Sequence, residues 1–265
     1  MLPARFAFHR PQTVAEALAL LAAHGEEATA YAGGTEILVA MKARVLRYAH
    51  VVDLKRIAEL HGIVEQVDGT LSIGALATHH QLATDPLVRA RLPAYAELSG
   101  NVANIRVRVA GTLGGNLCFA EPHADPPALL CALKAVAILR GPQGERRVPM
   151  AEFIVGEFTT LRREGELLVR IEIPPMAAGA RAAYRAFGHL ERPAAGVAAL
   201  RGADGAWEFW AGAVSGRPVM LARDPGEVES AAAALDATDD MHGSAEYKRH
   251  LVTVLARRAA QACEQ

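Results

Sequence analysis

Apolar residues return every three or four positions in some stretches of the chain and every second position in others, and the change of period divides it into elements. The first helical stretch follows Thr13-Val14-Ala15-Glu16, a capping box in which the threonine oxygen accepts from the third helical N–H and the glutamate reaches back. Ala17, Leu18, Leu20 and Leu21 form its apolar face and Gly25 suits the left-handed residue past its end, so a helix is predicted over 13–24. Residues 28–32 read as a short strand stopped by Gly33-Gly34, after which Ile37, Leu38 and Met41 restore helical spacing over 35–44. A strand over 51–54 follows, then a hairpin pairing 63–67 with 70–73 around Asp68-Gly69. Thr78 is placed to cap a helix through Leu82, Asp85-Pro86 opens another, and 94–103 keeps helical spacing up to Asn104.

In the second half, Gly141-Pro142-Gln143-Gly144 joins strands over 135–139 and 146–148, and 167–173 is a strong strand closed by Pro174-Pro175. Prolines and small residues over 174–180 have little to pack and cannot continue a sheet, which places a domain boundary near residue 176. Beyond it, strands over 181–187, 194–200 and 207–214 predict a three-stranded antiparallel meander with its second turn at Gly202-Ala203-Asp204-Gly205. Helical spacing over 224–235 and 246–262 covers it, the latter with Tyr247, Leu251, Leu255 and Ala259 on one stripe. The expectation is an α+β protein of two domains, 1–176 and 177–265.

Composition narrows the function classes. Of 265 residues 51% are hydrophobic and 22% charged, which suits a globular protein. Lys and Arg number 28 against 29 Asp and Glu, and a net charge of -1 gives no general attraction for nucleic acid or an anionic membrane. The first ten residues lack the apolar core of a secretory signal, and the longest apolar run, 128–139, is broken by Lys134, so no membrane span is expected. Cys118, Cys131 and Cys263 form no Cys-x-x-Cys pair and have no histidine at zinc spacing, so no metal or cluster is expected in this chain. The odd count fits a reducing cytosol.

Two glycine-rich stretches carry the candidate chemistry: Tyr31-Ala32-Gly33-Gly34-Thr35-Glu36 and Ala110-Gly111-Thr112-Leu113-Gly114-Gly115-Asn116. A diphosphate needs several N–H donors converging on its oxygens, and adjacent glycines let the backbone approach without a Cβ in the way. The helix predicted after the first turn adds its own amino-terminal N–H groups, and Thr35 a hydroxyl. Neither stretch matches Gly-x-Gly-x-x-Gly or ends in Gly-Lys-Ser/Thr, which disfavours a Rossmann fold and a nucleoside triphosphate loop. Either pair of glycines also makes sense as a plain turn. Glu36 reads as a solvated residue stabilised by the helix dipole, and Asp125 either caps the helix after it or accepts from ligand hydroxyls. Among ten histidines, His79 and His123 stand out by position, and no nucleophile or acid–base pair is evident.

Taken together in this order, the two stretches resemble the two FAD motifs of the FAD-binding medium subunits of the xanthine dehydrogenase and carbon monoxide dehydrogenase family. Similar continuations occur at Ile73-Gly74-Ala75-Leu76-Ala77-Thr78-His79, at Asp125-Pro126-Pro127, at Leu168-Val169-Arg170-Ile171-Glu172-Ile173-Pro174 and at Glu246-Tyr247-Lys248-Arg249, so the resemblance runs nearly the whole chain. It implies a two-lobed FAD-binding domain of the vanillyl-alcohol oxidase (PCMH) type, with lobes of about 1–56 and 57–176. A small α+β domain like that of carbon monoxide dehydrogenase flavoproteins would follow over 177–265. It further implies that Tyr31 to Glu36, Ala110 and Thr112 to Asn116 surround the FAD diphosphate, with Thr78 and His79 nearby. Asp125 would meet the ribityl or adenosine part and Leu168 a ring system.

On the same resemblance, a large subunit holds the molybdenum cofactor and a small subunit 2Fe-2S clusters, as a cytoplasmic dimer of heterotrimers. This chain would pass electrons to an external acceptor. The alternative is a stand-alone flavin oxidoreductase acting directly on a small molecule. One departure is Ala186, where many relatives carry lysine, leaving Arg185 or Arg192 to supply positive charge near the flavin.

Overall fold

The computed structural model describes residues 2–188 and 191–265; His189 and Leu190, part of the segment that departs from the relatives, lie outside the described residues. At the amino end, His50–Asp53 runs between Ala7–His9 and Ala28–Tyr31 in a parallel sheet. The helix Val14–His24 makes the crossover and buries Val14 and Ala17 completely. Its cap is the expected Thr13, whose oxygen accepts from Glu16 N–H at 3.1 Å. Glu16, however, accepts from Gln12 N–H at 2.7 Å, one residue before the cap, so the box closes a position early.

A five-stranded antiparallel sheet follows, in the order Ile63–Glu65, Leu71–Gly74, Leu167–Ile173, Val136–Gly141, Gly144–Pro149. Its central strand is buried at every position but Arg170 because both of its faces are covered, and the charges it carries, Arg170 and Glu172, pair with each other at 2.9 Å. Leu167 and Val169 pack with Ile138 against Val14, Val52 and Leu54 of the amino-terminal layer, whereas Ile171 and Ile173 join Leu71 and Leu139 in the core under the helices. A bulge between Leu168 and Arg170 accounts for the switch, since one extra residue reverses which side chains face which way.

The greatest difference from expectation falls after Asn104. The segment expected as an open glycine turn is helical: Ile105–Ala110 and Leu113–Phe119 are short helices, capped by Asn104 and by Thr112, whose oxygen accepts from Gly115 N–H at 3.0 Å. Glycine's poor helix propensity hides the second helix from the sequence, and the Thr112 cap together with burial of Leu113 and Leu117 overrides it.

The carboxy-terminal sheet has four strands in sequence order, Arg181–Phe187, Ala195–Arg201, Trp207–Gly212 and Val219–Ala222, one more than the predicted three. The fourth is only four residues long and follows Ser215-Gly216-Arg217-Pro218, which masks it. The helix Ala245–Glu264 buries Leu251, Leu255 and Ala259, but Tyr247 at the head of the predicted stripe stays exposed. The predicted 224–235 helix shrinks to a 3₁₀ turn at Pro225–Glu227 and the helix Val228–Ala233. Between this sheet and the five-stranded one lies Pro126–Ala132, a helix buried on every side. Among the described residues, no helix is long and apolar enough to cross a membrane.

Candidate cofactor site

A cavity of about 590 Å³ opens where the parallel sheet, the paired helices after Asn104 and the residues following Arg181–Phe187 meet. That volume falls within the roughly 300–1,000 Å³ of sites that enclose cofactor-sized ligands. Both glycine stretches border it: Gly33 and Gly34 on one wall, Gly114 and Gly115 on another. They touch, because a Cβ built on Gly33 would lie 2.0 Å from the Ala110 carbonyl oxygen, and one on Gly115 would lie 3.9 Å from Ala32 Cβ.

The two stretches differ in what their backbones offer. In the second, the N–H groups of Leu113 and Gly114 donate to Ala77 and Ala75 oxygens, each at 2.8 Å. Gly115 and Asn116 donate to the side chain and carbonyl of Thr112. These four N–H groups are spent inside the fold, which leaves Thr112 N–H, without an acceptor among the described residues, as the backbone donor that positions 112–116 offer the cavity. The second stretch otherwise contributes space, since a Cβ on Gly114 would collide with Ala75 at 2.7 Å, together with the side chain of Asn116. In the first stretch, Gly33, Gly34, Thr35 and Glu36 donate no N–H to any described residue, and all four line the cavity. Gly34 has φ +76°, a conformation that L side chains rarely adopt.

Three expected site residues, Tyr31, Thr78 and Ala110, do not line the cavity. They buttress it. The Tyr31 ring packs where a side chain on Gly34 would sit, 2.4 Å from its built Cβ, and holds the Lys55 ammonium 3.9 Å above its own centre. Thr78 caps the helix His79–Thr84 in a complete capping box with Gln81 and bridges Thr112 backbone to backbone, tying the second stretch in place. Ala110 sets its carbonyl against Gly33.

Of the side chains on the cavity, His79 and Asn116 are the most telling, because Nδ1 of His79 and Oδ1 of Asn116 are buried without a hydrogen-bond partner among the described residues. A buried polar atom left unpaired costs about 1–3 kcal/mol, which favours any ligand that supplies the missing partner. Burial, with help from the Arg108 charge, lowers the His79 pKa to about 4, so the ring is neutral at pH 7. Asp125 begins the helix Pro126–Ala132 but makes no side-chain cap; its Oδ1 accepts instead from Tyr184 Oη at 3.0 Å. Burial raises the Asp125 carboxyl to about 6 against the opposing effect of that hydrogen bond. Leu168 reaches the cavity from the bulged strand.

Glu36 is not the free surface carboxylate its position suggested. It lines the cavity and accepts from Arg192 Nη2 at 2.8 Å, while Arg192 Nη1 lies 3.1 Å from Glu121 Oε1. Glu121 in turn faces His123 Nδ1 at 3.3 Å, and His123 Nε2 is 2.9 Å from Asp240 Oδ2, which pairs with the wholly buried Lys248. Burial disfavours ionised Glu121, but His123 and Arg192 outweigh it and hold its carboxyl below the ordinary range. His123 is thus a link between carboxylates. Of the two arginines weighed as substitutes for the lysine, Arg192 is on the cavity and Arg185 is not; Arg185 pairs with Glu97 at 3.2 Å and, with Ala186, borders a smaller cleft. Sequence reasoning missed Glu121, Cys118 and Phe119 as wall residues, and only the contact of Glu121 with Arg192 would have drawn attention to one of them.

Arg192→Ala is expected to weaken flavin binding roughly fivefold at low ionic strength by leaving Glu36 and Glu121 facing an anionic ligand, with the effect shrinking as salt screens it. Fluorescence titration at two salt concentrations measures it; a loss that is independent of salt would refute the electrostatic origin.

The cavity suits the FAD that the resemblance implies. Four unspent backbone donors fit a diphosphate, glycines leave it room, Leu168 offers apolar surface, and two orphaned side-chain atoms await hydroxyl or amide partners. Comparison with known proteins points the same way. Residues 4–176 match the family described as the FAD binding domain in molybdopterin dehydrogenase. The carbon monoxide dehydrogenase medium chain of Hydrogenophaga pseudoflava is 34% identical over 282 residues, covering 99% of this chain and 98% of that relative. The fold superposes on the solved carbon monoxide dehydrogenase of Hydrogenophaga pseudoflava lacking the Mo-pyranopterin moiety with a TM-score of 0.94, at 34% identity and covering 100% of this chain and 99% of that one. For quinoline 2-oxidoreductase of Pseudomonas putida 86 the TM-score is 0.92 at 28% identity, again covering 100% and 99%. The chain therefore belongs to the family of FAD-binding domains of molybdopterin dehydrogenases.

Proposed function

We propose that this chain is the FAD-binding, electron-transferring medium subunit of a multi-subunit molybdenum hydroxylase. The observation that carries the reading is the run of four N–H groups from Gly33 to Glu36 on a cavity wall that have no partner among the described residues, at a point where Gly33 packs so tightly against Ala110 that only glycine fits. FAD held there would supply the redox chemistry, one- and two-electron transfer between the iron–sulfur clusters of a partner and an external acceptor. The chain's own task is to bind, orient and shield. Residues 33–36 hold the diphosphate by backbone donation, Asn116 and Asp125 accept from hydroxyl groups, and Leu168 covers a ring face. Arg192 offsets part of the charge of the two carboxylates beside it and so lessens their repulsion of the anion. Neutral His79 offers one ring nitrogen for a hydrogen bond and none of the charge that would compete for the diphosphate.

Its partners, on this reading, are a large molybdopterin subunit and a small 2Fe-2S subunit, assembled as a dimer of heterotrimers in the cytoplasm. The test is to purify the chain alone and together with the products of neighbouring reading frames. The expected result is a folded chain that holds one FAD, and whose flavin is reduced by substrate only when the partners are present. Substrate turnover by the isolated chain would establish a stand-alone oxidoreductase instead, and a folded chain with no affinity for FAD would end the proposal.

A further inference from the structure

We infer that His9, His24 and His50 form a binding site for one divalent cation of the zinc class, outside the flavin cavity. The three histidines are too far apart in sequence to make a spacing motif, and the fold brings them together: His9 ends the edge strand, His24 ends the first helix, and His50 begins the central strand of the parallel sheet. One nitrogen from each lies within 4.8 Å of the others, and His9 Nε2 is 3.0 Å from His50 Nδ1. Bonds of about 2.0–2.1 Å to zinc at tetrahedral angles separate ligand nitrogens by about 3.3 Å, so the pair is already close to chelating distance. The His24 ring lies over His50 with ring centres 3.5 Å apart and makes no hydrogen bond to a described residue.

The backbone beneath the cluster is fixed. His50 stands in register with Ala7 on one side and Ala28 on the other, and Ala49 donates to Glu27 at 2.9 Å while accepting from Ala7 at 2.7 Å. The stacked His24 and His50 rings would have to turn for their lone pairs to converge, and χ2 is a broad torsion in histidine. Three imidazoles with no thiolate or carboxylate in the group favour zinc, cobalt, nickel or copper over magnesium and calcium, and leave the fourth position to water. Such an ion would clip the edge strand and the helix to the strand that pairs with Ala28–Tyr31, the support of the glycine turn.

The experiment is a cobalt titration of the chelator-treated, untagged full chain, read by the visible absorption of tetrahedral cobalt, followed by displacement with zinc. One saturable site is expected, together with a rise in Tm on adding zinc. His50→Ala and His24→Asn should each weaken binding by about 100-fold or more, given that loss of a mere supporting contact to a ligand costs about 10–100-fold. His61→Ala, at an exposed histidine bonded to the Lys55 carbonyl, should bind like the parent. No saturable site, or parental affinity in the folded His24→Asn chain, would overturn the inference. Flavin content is read in parallel and stands or falls separately.

Discussion

Replacing Gly33 with alanine is expected to strip the chain of FAD. The new Cβ would fall 2.0 Å from the Ala110 oxygen, 2.8 Å from its carbonyl carbon and 2.9 Å from Gly111 Cα, all backbone atoms that no rotamer can move aside. One of the two glycine segments must retreat. Overpacking of this kind costs about 1–3 kcal/mol in stability, which a chain of this size can absorb. Binding is hurt more, because hydrogen bonds to a charged group are each worth about 1.5–3 kcal/mol and the donors of residues 33–36 move as a unit. Affinity for FAD should fall by at least ~100-fold. The ratio of flavin to protein absorbance, with circular dichroism to establish folding, measures the effect; a folded Gly33→Ala chain with full flavin content would remove these N–H groups from the site. Gly115→Val should also abolish binding, by a different route. Its N–H is already committed to Thr112, so the branched side chain acts by pressing on Thr112 Oγ1, 2.8 Å from the built Cβ, and by filling the cavity beside Asn116.

The second large effect is on stability as a function of pH, where His79 and Asp125 pull in opposite directions. His79 is held near 4 in the folded chain, below the roughly 6.5 of an unfolded histidine. Between those values the unfolded chain takes up a proton that the folded one refuses. The contribution of His79 is therefore intact above pH 6.5 and is lost as pH falls through 4, a change of roughly 3 kcal/mol. Asp125, raised to about 6, behaves the other way: the folded chain takes the proton first. Its contribution is present below the unfolded value near 3.9 and is lost as pH rises through 6, by roughly 2 kcal/mol once solvent in the cavity is allowed for. Relative to the parent, His79→Gln should flatten the loss of stability on acidification between pH 6.5 and 4, and Asp125→Asn should steepen it. Urea unfolding at several pH values provides the measurement, and identical slopes in the three proteins would show that neither group is perturbed by its surroundings.

The sequence made much of the fold legible because period and punctuation agreed there. Leu167–Ile173 and Arg181–Phe187 have the bounds that their apolar runs and flanking turns predict, and Thr13, Thr78 and Asp85 cap the helices they were expected to cap. The glycines over 111–115 misled, because their local preference says turn while Thr112 and the carbonyls of Ala75 and Ala77 impose helix. That same error concealed which N–H groups are free, a property set by partners 36 and 39 residues away in sequence, Ala77 for Leu113 and Ala75 for Gly114. Gly33, Gly34 and Thr35 were legible as cavity residues from their chemistry, whereas the pairing of Glu36 with Arg192 depends on a loop 156 positions further on. The histidine trio was invisible for a related reason, since no spacing links residues on a strand, a helix end and a second strand.

The matched family segment stops at residue 176, yet the enclosure does not. Glu191 and Arg192 form part of its wall, and the hydroxyl that anchors Asp125 belongs to Tyr184. A polypeptide cut at the proline pair would keep the Gly33–Glu36 turn but lose one side of the container, leaving a carboxylate without its tether and two acids without their counterion. The two halves of the molecule are thus not a flavin holder with an appendage: the smaller one is a jaw of the same clamp.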